Sequence, residues 1–200
     1  MSDLQLDFAK DGGLVPAIVQ HWLSGEVLML GYMDAEALAV TRSSGLVTFR
    51  SRSKQRLWTK GESSGHVLRL KGMHADCDAD ALLVLAEPVG PTCHRGTRSC
   101  FGEASTPLVA LAELDALVAQ RDAERPHASY TTRLFESGVR RIAQKVGEEG
   151  VETALAAVAQ DEAALLGEAA DLVYHLTVLL RARGLGWSEL AKTLASRHAG

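Results

Sequence analysis

The sequence predicts an α+β domain with a mostly antiparallel sheet over residues 1–104, followed by an all-α helical domain over residues 105–200. Two observations carry this. Eleven of the 18 glycines and all three cysteines lie before residue 105, whereas 19 alanines lie after it against ten before. The spacing of apolar residues changes at the same place, from short β-branched runs to helical repeats. Gly102-Glu-Ala-Ser-Thr-Pro107 supplies turn and helix-start residues for the junction.

In the first half, Leu14–Val19, Val27–Leu30, Leu46–Phe49, Val67–Leu70 and Ala81–Ala86 read as strands. Asp34–Val40 reads as a short helix, with Asp34 as cap and Glu36 in the first turn. The basic stretch from Arg50 to Gly65 reads as a long loop, ordered around Trp58. In the second half, Leu108, Leu111, Leu114 and Leu117 mark a helix over Pro107–Glu124, with proline at its start. Arg125-Pro-His127 breaks it. Thr131–Gln160 resumes the helical pattern, with kinks expected at Gly138, Gly147 or Gly150. Asp161 caps the next helix, which runs to Arg183 and stops at Gly184. Trp187–His198 is a last short helix.

The totals exclude more than they identify. With 200 residues, 46% of them hydrophobic, the chain builds a core without disulfides. A net charge of −4 argues against a nucleic-acid partner. No apolar run reaches the roughly 18 residues of a membrane span. Met1-Ser-Asp-Leu-Gln-Leu-Asp7 carries acids where a secretory signal needs bases and an apolar stretch. The expectation is a cytoplasmic protein with no membrane partner.

Chemistry concentrates in a few places. In Asp76-Cys-Asp-Ala-Asp80, an extended backbone would put Asp76, Asp78 and Asp80 on one face and Cys77 on the other. Three adjacent carboxylates repel unless a cation neutralises them, and hard oxygens suit Mg²⁺. The alternative is a solvated acidic turn. Cys93 and Cys100 join Cys77 as three thiols, an odd number that leaves one unpaired in any disulfide scheme. Three thiolates plus water make an open zinc site, and the alternative is buried inert cysteine. His94 beside Cys93 is a candidate fourth ligand or general base. His21, His66, His74 and His127 read as structural. Arg50, Arg52, Lys54, Arg56 and Lys60 against Glu62 favour an anionic phosphate ligand. Gly61 and Gly65 flank Ser63 and Ser64, whose hydroxyl and N–H groups suit an anion cradle.

These blocks resemble the phosphoribosyl-AMP cyclohydrolase family: Ser51-Arg-Ser-Lys54, Leu57-Trp-Thr-Lys-Gly-Glu-Ser-Ser-Gly65, Asp76–Asp80, and Cys93-His94 through Ser99-Cys-Phe101. The resemblance implies hydrolytic opening of the purine ring of phosphoribosyl-AMP in histidine biosynthesis. It implies Mg²⁺ on Asp76, Asp78 and Asp80, and Zn²⁺ on Cys77, Cys93 and Cys100 in a site shared across a homodimer. Arg50, Arg52, Lys54, Trp58, Lys60, Gly61, Ser63, Ser64 and Gly65 become substrate-binding candidates. His66 departs from the pattern, which has Asn there. Zinc nucleobase deaminases also attack a ring carbon with zinc-activated water, but their H-x-E and P-C-x-x-C signature is absent.

In the second half, Glu148, Glu149 and Glu152 share a helical face, and Glu168 and Asp171 repeat the spacing on the next helix. Val151, Leu155, Val158, Leu172, Leu176 and Leu179 are expected to hold the two helices together. Paired, the acids would clamp Mg²⁺. The alternative is a solvated charged face. With Ser129-Tyr-Thr-Thr-Arg-Leu-Phe135, Lys145–Glu152 and Glu168–His175, this half resembles phosphoribosyl-ATP pyrophosphohydrolase, of the all-α nucleotide pyrophosphohydrolase type. The resemblance implies that these five acids hold Mg²⁺ and orient the attacking water, with Glu148 and Glu149 foremost. Lys145 is a further candidate for phosphate contact.

Overall fold

The computed structural model describes residues 4–10, 12–102 and 106–198. The chain divides into two compact units, Met1–Val109 and Ala110–Gly200. The expected boundary between residues 104 and 105, and the first three residues of the acidic N-terminus, lie outside the described residues.

The first unit is built on a sheet ordered β2-β1-β6-β5. Its strands are β1 (Val15–His21), β2 (Val27–Met33), β5 (Leu68–Ala75) and β6 (Leu82–Pro88). β1–β2 and β5–β6 are antiparallel, and β1–β6 is parallel. Alternation along β1 buries Val15, Ala17 and Val19, and along β6 it buries Leu82, Val84 and Ala86. Pairing of Ala17 with Leu82 and Val19 with Val84 sets these residues on one face, where Leu28, Met33, Phe49 and Leu68 complete the core.

Between β2 and β5 lie α1 (Ala35–Ser44), β3 (Thr48–Arg50) and β4 (Leu57–Thr59). The Asp34 carboxylate caps α1 by accepting the Ala37 N–H at 2.8 Å. The helix runs one turn past Val40, because the first residue able to end it in the left-handed conformation is Gly45, with φ of 72°. The expected long loop from Arg50 to Gly65 contains a hairpin instead. β3 and β4 pair antiparallel, with Phe49 and Trp58 ring centroids 5.2 Å apart and the Thr48 and Thr59 hydroxyls 2.9 Å apart.

Gly31 on β2 faces Phe49. A β-carbon there would sit 2.4 Å from the Phe49 ring, which is fully buried. Gly31→Ala is therefore expected to lower unfolding stability by about 1–3 kcal/mol, the usual cost of overpacking, as read from a denaturant midpoint.

His21 ends β1 in a structural role. Its buried Nδ1 accepts the N–H groups of Leu23 (3.3 Å) and Ser24 (3.1 Å), so the proton sits on Nε2. Burial, then the charge of Arg98, pushes its pKa below the ordinary 6.5. The unfolded chain then takes up a proton that the folded chain resists. Stability is insensitive to His21 above that pH and falls as pH drops below it. His21→Asn retains a neutral acceptor, and its melting temperature is expected to fall less steeply than that of the wild type between about pH 7 and 5.

The second unit comprises α2 (Val109–Glu124), α3 (Tyr130–Glu136), α4 (Gly138–Ala159), α5 (Glu162–Ala182) and α6 (Trp187–His198). The pattern expected as one helix from Thr131 splits at Gly138, which has φ of 80°. The Asp161 carboxylate caps α5 by accepting the Ala164 N–H at 2.9 Å. Val118, Leu134, Ile142 and Val178 form the core. On α2 Val118 joins that core with Leu114 packed against it, whereas Leu117, and Leu108 just before the helix, are exposed. α4 and α5, joined by two residues, pack along each other.

Val151, Leu155 and Val158 do not hold that contact, contrary to expectation; all three are exposed. The inward face of α4 carries Ile142, Glu149 and Ala156, spaced by seven, and the valine and leucine positions fall outside that stripe. α5 alone among the described helices is long and apolar enough to cross a bilayer by length and composition. It carries Glu168 and Asp171 within its span.

Candidate metal centres

β5 ends at Ala75, and the residues after it turn rather than extend. Asp76 Oδ1 accepts the N–H groups of Asp80 and Ala81, both at 3.0 Å, and Ala79 has φ of 64°. The expectation of an extended stretch is thus corrected. The turn still gathers Asp76, Asp78 and Asp80, each with a carboxylate oxygen within 4.8 Å of the other two. Cys77 does not point away from them: its thiol lies 3.9 Å from Asp78 Oδ1, and the residue is exposed. The ammonium of Lys10 sits against the cluster, 3.0 Å from Asp78 Oδ2 and 3.2 Å from Asp80 Oδ2. That charge holds the Asp78 carboxyl below the ordinary carboxylate range.

The other two thiols meet in the loop after β6. The Cys93 N–H donates to Thr97 O (3.0 Å), the Gly96 N–H to Cys93 O (3.0 Å) and the Cys100 N–H to Leu28 O (2.8 Å). This folds the loop so that Cys93 and Cys100 both line one cleft. The Arg95 N–H foremost holds Cys93 below the usual thiol range, while the Thr97 hydroxyl donates to Ser99 O at 2.8 Å. Desolvation and the neighbouring Cys93 push Cys100 up. His94 is exposed, with Nδ1 3.9 Å from Cys93 Sγ. Soft thiols suit zinc, and among the described residues Cys77 does not join Cys93 and Cys100 in one donor group.

A cleft of about 600 Å³ opens on this pair. Trp58, Lys60, Gly61, Ser63, Ser64 and His94 line it together with the thiols. Lys60 donates to the His66 carbonyl at 3.3 Å, and burial lowers its pKa.

The other expected substrate contacts are placed elsewhere. Arg50 pairs with Asp34 (2.5 Å) and with Glu36 at the start of α1. Arg52 stacks over the Tyr32 ring, 3.9 Å from its centroid, Lys54 is exposed, and Arg56 pairs with Glu62 at 2.7 Å. Gly65 is exposed and donates its N–H to Gly61 O at 2.9 Å. The cleft adds Met29, His66 and Thr92, which sequence reasoning missed. Two glycines signalled His66. A β-carbon on Gly61 would meet its carbonyl at 2.4 Å, and one on Gly90 would meet its ring at 2.8 Å.

In the second unit, Glu149, Glu152 and Glu168 each bring an oxygen within 4.8 Å of the others. Glu149 is buried. Lys145 Nζ lies 2.6 Å from Glu149 Oε1 and 2.8 Å from Glu148 Oε2. This lowers both carboxyls and raises the lysine. Glu148 also takes Gln144 (2.8 Å) and Arg141 (3.3 Å), so it faces a basic group rather than the cluster. Asp171 lies outside the triad. Glu152 is pushed up, by desolvation first and then by Glu149 and Glu168. A divalent cation removes that repulsion, and the all-oxygen donor set suits Mg²⁺. His175 is buried; Nδ1 donates to Asp171 O (2.9 Å) and Nε2 accepts from the Tyr130 hydroxyl (3.1 Å), 3.7 Å separating Nδ1 from Glu149.

Comparison with known proteins divides the chain in the same way. Residues 29–102 match the family model of phosphoribosyl-AMP cyclohydrolase, and residues 111–198 match that of phosphoribosyl-ATP pyrophosphohydrolase. The chain is 67% identical over 193 residues to the histidine biosynthesis bifunctional protein HisIE of Xanthomonas axonopodis pv. citri, covering 96% of this chain and 93% of the relative. It is 59% identical over 194 residues to that of Salmonella typhimurium, covering 97% and 96%. Against that of Escherichia coli the identity is 57% over 194 residues, covering 97% and 96%.

Proposed function

Because this chain belongs to the family of bifunctional histidine-biosynthesis proteins that join a phosphoribosyl-AMP cyclohydrolase to a phosphoribosyl-ATP pyrophosphohydrolase, we propose that its two units carry successive, metal-dependent hydrolyses. The second unit cleaves phosphoribosyl-ATP to phosphoribosyl-AMP and pyrophosphate. The first adds water across the purine ring of phosphoribosyl-AMP and opens it. The observation that carries this is one cleft lined by Cys93, His94 and Cys100 together with the Trp58–Ser64 segment.

In the first unit, Cys93 and Cys100 hold Zn²⁺ together with Cys77 of the partner subunit in a homodimer. The exposure of Cys77, apart from the other thiols, fits a shared site. Zinc when bound lowers the pKa of water so that a nucleophile is present near neutral pH. His94, at the cleft wall, serves as its proton acceptor or as a further ligand. Trp58 offers a face for the base, and Lys60 with the N–H groups of Ser63 and Ser64 receives phosphate. Asp76, Asp78 and Asp80 hold Mg²⁺. In the second unit, Glu149, Glu152 and Glu168 hold Mg²⁺, and Glu148, Asp171 and Lys145 flank the polyphosphate path.

The test gives purified protein phosphoribosyl-ATP with Mg²⁺ and Zn²⁺ and follows products by mass. Pyrophosphate and then the ring-opened nucleotide are expected, with the second product lost on zinc chelation. A chelated protein that still opens the ring would rule out the zinc reading.

A further inference from the structure

The segment from Leu4 to Lys10 precedes the stretch that matches the cyclohydrolase family model. Leu4, Leu6 and Phe8 pack on the core of the first unit. The Asp7 N–H donates to Ala79 O at 2.7 Å, on the turn that carries the three aspartates. The segment is therefore strapped to the core and to the acid turn at once, and Lys10 follows three residues later. Its ammonium meets three oxygens: Asp78 Oδ2 at 3.0 Å, Asp80 Oδ2 at 3.2 Å and the Asp78 carbonyl at 3.0 Å.

Two of the three carboxylates assigned to Mg²⁺ are thus already held by a cation of the chain itself. Mg²⁺ needs oxygens at about 2.0–2.1 Å in a near-octahedral shell. An ammonium and a divalent ion held on the same carboxylates repel one another. That repulsion favours the lysine leaving as the ion enters. The Lys10 side chain is 40% exposed and carries a flexible stem, so it can swing into solvent.

We propose that Lys10 is the resident counter-ion of the aspartate cluster and exchanges with the divalent cation. The N-terminal strap thereby sets the metal concentration at which this site fills. The proposal rests on Asp76, Asp78 and Asp80 being a divalent-cation site, as argued above.

The test is Mn²⁺ binding to the full-length protein, read from the electron paramagnetic resonance of free Mn²⁺. All samples carry Glu149→Gln to weaken the second acid cluster. Lys10→Met keeps the stem and removes the charge. It is expected to tighten Mn²⁺ binding about fivefold, the scale of two exposed ion pairs. The gain should shrink as salt rises toward about 1 M. Lys10→Arg keeps a cation and is expected to stay within about twofold of the parent. Unchanged or weaker binding by Lys10→Met, with Asp78→Asn still abolishing the site, would overturn the exchange. Mn²⁺ binding that ignores Asp78→Asn would overturn the metal site itself, and the exchange with it.

Discussion

Cys93→Ala is expected to stop the pathway at phosphoribosyl-AMP: pyrophosphate leaves phosphoribosyl-ATP at the wild-type rate, and the ring stays closed. Cys93 is buried, lines the cleft with Cys100, and is held below the ordinary thiol range foremost by the Arg95 N–H. That donor stabilises a thiolate, which is the form that binds metal. Loss of partners outside a metal's ligand shell costs roughly 10–100-fold, so losing a ligand should cost at least about 100-fold in ring opening. A small buried side chain is removed without leaving a charge, so the melting temperature should shift by only a few degrees, about 1 kcal/mol or less. Inert core cysteine would instead leave ring opening untouched. Mass analysis of the accumulating nucleotide separates the two.

Glu149→Gln should produce the opposite block. Phosphoribosyl-ATP persists, while phosphoribosyl-AMP supplied from outside is still opened. Glu149 is the buried member of the acid triad, and Lys145 keeps it ionised at neutral pH. The amide keeps the shape and removes the charge. Mg²⁺ binding through three carboxylates then falls to two, and pyrophosphate release should drop by at least about 100-fold. Removing one partner of a buried ion pair is normally costly. Here Lys145 retains Glu148 at 2.8 Å, and Glu152 and Glu168 lose a repelling neighbour. A folded variant is therefore expected, checked by its circular dichroism melt.

Local chemistry was legible in the sequence wherever a residue acts on its immediate neighbours. Asp34 and Asp161 read as helix caps and accept the expected N–H groups. The acids spaced for one helical face do meet across α4 and α5, through Glu149, Glu152 and Glu168. Failures came where tertiary partners decide. Arg50 reads as a phosphate ligand until the start of α1 supplies Asp34 and Glu36. β4 is three residues long and flanked by bases, so its pairing with β3 is invisible without Phe49 against Trp58. Val151, Leu155 and Val158 are apolar at helical spacing, yet the inward stripe of α4 is set by Ile142, Glu149 and Ala156, one of them charged. The aspartates converge for a reason other than strand alternation, because Asp76 folds its own turn by accepting two N–H groups.

The central claim is that two separate sites on one chain perform consecutive steps. The most direct measurement mixes Cys93→Ala and Glu149→Gln proteins with phosphoribosyl-ATP, Mg²⁺ and Zn²⁺, and follows ring-opened product by mass. Each variant alone should yield none, and the mixture should restore it, because one protein releases the phosphoribosyl-AMP that the other opens. A mixture that fails to form it, from folded variants, would contradict the account, as would either single variant losing both activities.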